Sequence, residues 1–173
     1  LAFIAKALVS ALKEFPNFNA SIDVNSNKIT YKKYFHIGFA VDTPHGLMVP
    51  KIRNVNEMSI QKIGEELKKT SKLCRELKID KKEFFGGSMT ISSLGGIGGT
   101  HFTPIINPPE VAILGVGKNF DRLVKENGKI VSRKILPISL SYDHRIIDGA
   151  EGARFCVYLG KCLGKDFAFK LAV

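Results

Sequence analysis

The chain has 173 residues, 45% of them hydrophobic, enough to bury one substantial core, so a single domain over residues 1–173 is expected. Its 26 lysines and arginines against 16 acids leave a formal charge of +10. That balance suits a polyanionic partner, or reflects a lysine-rich habit spread over a solvated surface. The three cysteines (Cys74, Cys156, Cys162) and four histidines (His36, His45, His101, His144) fall in no metal-ligand spacing, which excludes a zinc signature.

The opening "LAFIAKALVSALKEFP" places Leu1, Ile4, Leu8, Leu12 and Phe15 at helical intervals, and Pro16 stops the helix. Lys6 and Lys13 make it too short and too charged to span a bilayer, and it lacks a signal-peptide pattern. It starts without an N-cap residue, as though cut from a longer protein. "YFHIGFAVD" alternates as a half-buried strand, "TPHG" supplies a turn, and "LMVPKI" continues as a strand that Pro50 marks as an edge or bulge.

Residues 59–80 predict an amphipathic helix with Ser59 as N-cap and Ile60, Ile63, Leu67, Cys74 and Leu77 on its apolar face. Its basic face reads as solvated surface. The second half is strand-rich: "SMTISSL", "FTPIIN" and "VAILGVG" are short apolar runs, and "RLVKENGKIVSR" is a hairpin around Asn127-Gly128. "ILPISLSY" is a last strand, and a helix from about Ala150 closes the fold. Mixed helices and strands with a clear hairpin indicate an α+β fold, a sheet layered with helices.

"SLGGIGGT" lacks the Lys-Ser/Thr ending of a phosphate loop and reads as tight turns. "GGSMT" has Thr90 where a nucleophile elbow needs glycine. The more informative stretch is "SYDHRIIDGAEGARF". His144 falls at a strand-to-helix junction between Asp143 and Arg145, with Asp148 four residues on. Imidazole protonates near neutrality and suits removal of a proton from a thiol or hydroxyl, and a nearby carboxylate can hold its loop. The cysteines have no base near them in sequence and read as core thiols.

That stretch resembles the D-H-R-x-x-D-G signature of the dihydrolipoamide acyltransferase cores of 2-oxo acid dehydrogenase complexes. "FPNFNASID", "YFHIGFAVDTPHGLMVPKIR", "MTISSLGGIGGTHFTPIINPPEVAILGVG" and "LPISLSYDHRIIDGA" resemble the same family in the same order. "TISSLGGIGGT" is similar to the acetyl-transferring branch of bacterial-type pyruvate dehydrogenase complexes. Succinyl-transferring relatives carry Thr-Asn-Gly-Gly where Ser92, Ser93, Leu94 and Gly95 stand here.

The resemblance implies a fold like chloramphenicol acetyltransferase, a mixed β-sheet with flanking helices. It implies transfer of acetyl from an S-acetyl-dihydrolipoyl group to coenzyme A, giving acetyl-CoA. His144 is then the general base on the coenzyme A thiol, Ser92 the hydrogen-bond donor to the oxyanion, and Asp148 the residue that fixes the histidine loop. Ser93 is the alternative to Ser92, since neighbours on a strand face opposite ways. The implied assembly is a homotrimer with active sites at subunit interfaces, packed in this branch at the corners of a hollow cube. The lipoyl group comes from a lipoyl domain outside this chain, and pyruvate dehydrogenase and dihydrolipoamide dehydrogenase join through further domains.

Against the family pattern, the chain starts several tens of residues late, and the tail "GKDFAFKLAV" is loose where apolar residues dock between trimers. A cytoplasmic bacterial-type enzyme is expected, with no membrane and no nucleic-acid partner, since no recognition helix or aromatic-interleaved basic strand is present. The alternatives are a non-catalytic scaffold of the complex and a branched-chain or succinyl acyltransferase of the same family.

Overall fold

The computed structural model describes residues 1–164 and Phe167. The tail on which the resemblance places inter-trimer docking otherwise lies outside the described residues.

Helix α1 (Ala2–Glu14) forms as the apolar spacing requires, with Ile4, Leu8 and Leu12 buried and no side-chain cap at its start. A short 3-10 turn from Pro16 leads to a hairpin of β1 (Ala20–Asp23) and β2 (Lys28–Tyr31), paired from Ala20↔Tyr31 to Asp23↔Lys28. No buried apolar face marks this hairpin in the sequence, since β2 is exposed throughout. Strands β3 (Ile37–Phe39), β4 (Val41–Thr43), β5 (Gly46–Met48) and β6 (Lys51–Ile52) follow. The turn at 43–46 joins β4 to β5, with Gly46 at φ +102° supplying the backbone conformation that favours glycine. Pro50 ends the run, and β6 beyond it is an edge strand.

Helix α2 (Ile60–Arg75) is capped by Ser59, whose hydroxyl accepts from the Lys62 N–H at 3.2 Å. It ends five residues before the expected Asp80, because Leu77 adopts a left-handed φ of +55° and leaves the apolar face for solvent. After it come β7 (Met89–Ser93), β8 (Ala112–Val116), β9 (Phe120–Glu126), β10 (Lys129–Ile135), β11 (Ile138–Tyr142) and α3 (Gly149–Cys162). The β9–β10 hairpin turns at Asn127-Gly128, both with positive φ, as expected of that pair. Residues 102–107 form no strand, in contrast to the expectation for "FTPIIN"; they run as an irregular loop carrying Pro104.

The central sheet has the order β11-β8-β7-β3-β6, with β3, β7 and β8 parallel and the two edge strands antiparallel. This is the α+β mixed sheet the sequence predicted. Strand β3 is interior, so all three of its residues are buried rather than alternating. One face of the sheet is apolar and covered by helices: Ile37, Met89, Ile91, Ala112 and Leu114 join Leu8, Leu12, Phe18, Phe155 and Leu159 in one core cluster. Phe155 stacks on Phe18 with ring centroids 4.1 Å apart.

The other face carries Gly38, Thr90, Ser92, Ile113, Gly115, Ser139 and Ser141, the residues that alternate with the core set. The loop after β7 closes over it, with Phe102 and Pro104 lying where a side chain at Gly115 would stand.

Candidate active site

The junction that presents His144 is built by its neighbours. The Asp143 N–H donates to Val111 O at 2.8 Å, anchoring the end of β11 to β8, and Asp143 O accepts from Ile146 and Ile147 N–H. The Asp143 carboxylate accepts the Arg145 N–H at 3.0 Å and grips its guanidinium through Nε at 2.9 Å and Nη2 at 2.5 Å. Those hydrogen bonds hold the Asp143 carboxyl below the usual carboxylate range and raise the guanidinium. Pairing of 143 with 145 leaves the residue between them facing outward. His144 is exposed, its ring tilted against Tyr142 with centroids 5.7 Å apart. Ile147, 1% exposed, pins the far end of the loop into the core.

Asp148 caps α3: its Oδ1 accepts the Glu151 N–H at 2.7 Å. Glu151 in turn accepts two hydrogen bonds from Asn17 Nδ2, at 3.1 and 3.0 Å, which ties the helix start to the turn after α1. Gly152 leaves room for Tyr142, whose ring carbon would lie 2.9 Å from a Cβ there. Asp148 thus caps the helix that follows the loop, and makes no hydrogen bond to His144.

Ser92 sits near the end of β7, half-buried, in a cavity of about 300 Å³. Apolar groups dominate its wall, among them Leu47, Val49, Ile105 and Ile113, and the polar groups are Thr90, Ser92 and Asn107. Ser92 Oγ has no hydrogen-bond partner among the described residues. Ser93 faces the other way, and its Oγ accepts the Gly95 N–H at 3.4 Å within the following turn. A second cavity on the same sheet face, about 360 Å³, is lined by His101, Phe102, Thr103, Ser139, Leu140 and Ser141.

The fold does not bring Ser92 and His144 together within one chain. Ser92 is level with Gly115 and Ser139 across the sheet, and His144 lies five residues beyond Ser139. At the usual rise and strand spacing that is roughly 15–20 Å. The cysteines are all free; Cys74 and Cys162 are buried as expected and Cys156 is half-buried, with burial raising the Cys74 and Cys156 thiols. Among the described residues, no helix is long and apolar enough to cross a membrane.

Sequence reasoning missed the polar groups beneath the Ser92 cavity. Lys51 and Glu110 form a buried ion pair, and Thr90 and Asn107 hydrogen-bond to the same carboxylate. The signal available was a lysine inside the apolar run "LMVPKI" and a glutamate just before "VAILGVG".

The mixed sheet with helices on one face is shared with chloramphenicol acetyltransferase, which superposes with a TM-score of 0.60 over 94% of this chain and 77% of its own, at 15% identity, a likeness of fold alone. The family model for the 2-oxoacid dehydrogenases acyltransferase catalytic domain matches residues 1–168, and the chain belongs to that family. The dihydrolipoyllysine-residue acetyltransferase component of the pyruvate dehydrogenase complex from Cupriavidus necator is 52% identical over 96% of this chain, which spans 30% of that relative's length.

A solved structure of Azotobacter vinelandii dihydrolipoamide acetyltransferase superposes with a TM-score of 0.92 at 49% identity, over 97% of this chain and 69% of its own. That work concerns the role of one serine, one histidine and one asparagine in its catalytic mechanism. The cubic core of the pyruvate dehydrogenase multienzyme complex gives the same TM-score at 48% identity, with the same coverage.

Proposed function

We propose that this chain transfers acetyl from an S-acetyl-dihydrolipoyl group to coenzyme A, at a site that two copies complete. One observation carries the reading. Ser92 and His144 lie apart in a single chain, each accessible, while the intervals from Ser92 to His144 and from His144 to Asp148 equal those between the serine, histidine and asparagine of the A. vinelandii enzyme. Two residues fixed at those intervals and separated in space are brought into one site by a second copy, whose His144 faces Ser92 of the first. The homotrimer of the resemblance supplies such an interface, and the cubic core supplies a way for trimers to pack. Asp148 stands where that enzyme has asparagine, and either side chain offers an oxygen to cap α3.

In this reading His144 takes the proton of the coenzyme A thiol as the sulfur attacks the thioester carbonyl. Negative charge develops on the carbonyl oxygen, and the unpartnered Ser92 hydroxyl donates to it. Collapse of the tetrahedral intermediate breaks the bond to the dihydrolipoyl sulfur, which takes the proton back from the imidazolium. The apolar cavity beside Ser92 excludes water from the thioester. The lipoyl arm reaches it from a lipoyl domain outside this chain, and pyruvate dehydrogenase and dihydrolipoamide dehydrogenase are the expected neighbours in a cytoplasmic complex. The net charge of +10 favours a cofactor that carries phosphates.

The test is transfer of acetyl from acetyl-dihydrolipoamide to coenzyme A by the protein carrying this chain, its His144→Ala and Ser92→Ala variants, and a refolded mixture of the two. The wild type is expected to be active, His144→Ala to lose about 10²–10⁴ in rate, and Ser92→Ala about 10²–10³. The mixture should recover activity, because some interfaces pair an intact serine with an intact histidine. A silent mixture beside an active wild type would place the site within one chain. A silent wild type would overturn the acetyl-transfer reading.

A further inference from the structure

Beneath the Ser92 cavity lies a charge pair that the reaction above leaves unused. Lys51 on β6 and Glu110 before β8 have side chains that are each 1% exposed. Glu110 Oε1 accepts from Lys51 Nζ and from Asn107 Nδ2 at 3.4 Å, and Oε2 accepts from Thr90 Oγ1 at 2.6 Å. Lys51 Nζ also donates to Thr90 Oγ1 at 3.2 Å. Two glycines make the room: a Cβ at Gly38 would lie 2.5 Å from Thr90 Oγ1 and 2.7 Å from Lys51 Nζ, and one at Gly87 would lie 2.7 Å from Lys51 Cε and closer still to Glu110. Lys32 also faces the pair, and its Nζ donates to Gly87 O at 2.8 Å. Burial lowers the Lys32 ammonium, Glu110 pulls it back up and Lys51 pushes it further down.

A hydroxyl has one proton to give. That of Thr90 goes to Glu110, and the Asn107 amide turns to the same carboxylate. Of the three polar side chains in the cavity wall, Ser92 alone has no hydrogen-bond partner among the described residues. Thr90 and Ser92 share a strand face two residues apart, so the Glu110 carboxylate lies roughly 7–10 Å from the Ser92 hydroxyl. Unpaired at that range, its charge would oppose an oxyanion by on the order of tenfold in rate or more.

We propose that Lys51 is a positioning residue for acyl transfer: by pairing with Glu110 it cancels the charge of the carboxylate that engages Thr90 and Asn107, so that Ser92 donates to the oxyanion without an opposing charge. The role rests on the acetyl-transfer reading above.

The experiment is the pH profile of kcat in the intact protein carrying this chain, for the wild type, Lys51→Met and Lys51→Met with Glu110→Gln. Lys51→Met should lose tenfold or more at pH 8 and distinctly less at pH 6, because burial favours the neutral acid and protonation removes the opposing charge. The KM for coenzyme A should move little. Adding Glu110→Gln should restore kcat to within about threefold and abolish the added ionisation, since a neutral pair of similar shape replaces the ionic one. A loss that is equal at every pH, or that the second substitution does not reverse, would make the pair structural and overturn the proposal.

Breaking a buried pair is strongly destabilising, so if Lys51→Met does not fold, Glu110→Gln alone is read instead. It removes the charge that Lys51 cancels and leaves an ammonium that favours the oxyanion, so kcat should stay at or above the wild-type value. A fall of tenfold or more in the folded variant would overturn the proposal. A silent wild type, or a rate indifferent to Ser92→Ala, would overturn the acetyl-transfer reading itself. An active wild type that needs Ser92, with Lys51 variants flat in pH, would overturn only the role of the pair.

Discussion

The two faces of the central sheet divide the molecule's work. On the helix side, Met89, Ile91 and Leu114 meet α1 and α3 in a core with no charged member. On the loop side, the same strands present Thr90, Ser92 and Ile113 to a cavity, with a lysine and a glutamate buried at its edge. One strand, β7, serves both sides because successive side chains alternate. Stability is therefore concentrated on one face and, in the proposed function, chemistry on the other, and substitutions on the two faces are expected to fail in different ways.

The largest separation comes from the helix face. Phe155, fully buried and stacked on Phe18, should cost about 3–5 kcal/mol of stability when replaced by alanine, read by urea unfolding. The variant should keep its turnover at temperatures where it stays folded, and a turnover lost ahead of unfolding would break the division. A smaller effect is expected where the faces meet. Asp148→Ala removes the cap of α3 and should cost about 1 kcal/mol, while Asp148→Asn keeps an accepting oxygen and should cost little. Equal losses in the two variants would show that charge, rather than capping, holds the loop.

The smallest effect lies at the sheet's entrance. His36 Nδ1 accepts the Asn54 N–H at 3.1 Å, which requires the neutral ring, and burial, then Arg53, lowers its protonation range. A base lowered in the folded state binds fewer protons there than when unfolded, so stability rises with pH across the interval between the two values. A modest loss is expected as pH falls below about 6.5. His36→Gln should flatten that part of the stability–pH curve, and an unchanged curve would remove His36 from it.

Sequence patterns show one face far better than the other. The 3.6-residue spacing in α1 and the Asn-Gly turn of the β9–β10 hairpin are local signals, and the structure follows both. The β1–β2 hairpin escaped because β2 is exposed along its whole length and has no apolar face to reveal it. "FTPIIN" looks like a strand because it is apolar, yet its job is to roof the open face, and Pro104 fits that role. His144 stands out in a dense local motif, whereas Ser92 is one serine among several and only the resemblance singles it out. Lys51 and Glu110 are 59 residues apart, and no local pattern marks a lysine as buried. Such a pair becomes visible only when the fold closes.

That closure also constrains how the sequence can change over time. Positions 38, 51, 87 and 110 form one unit, because a Cβ at either glycine would meet the charged side chains and force them to shift. A methyl group at Gly38 or Gly87 would oblige Lys51, Thr90 or Glu110 to move, so a change at any of these positions is felt at the others.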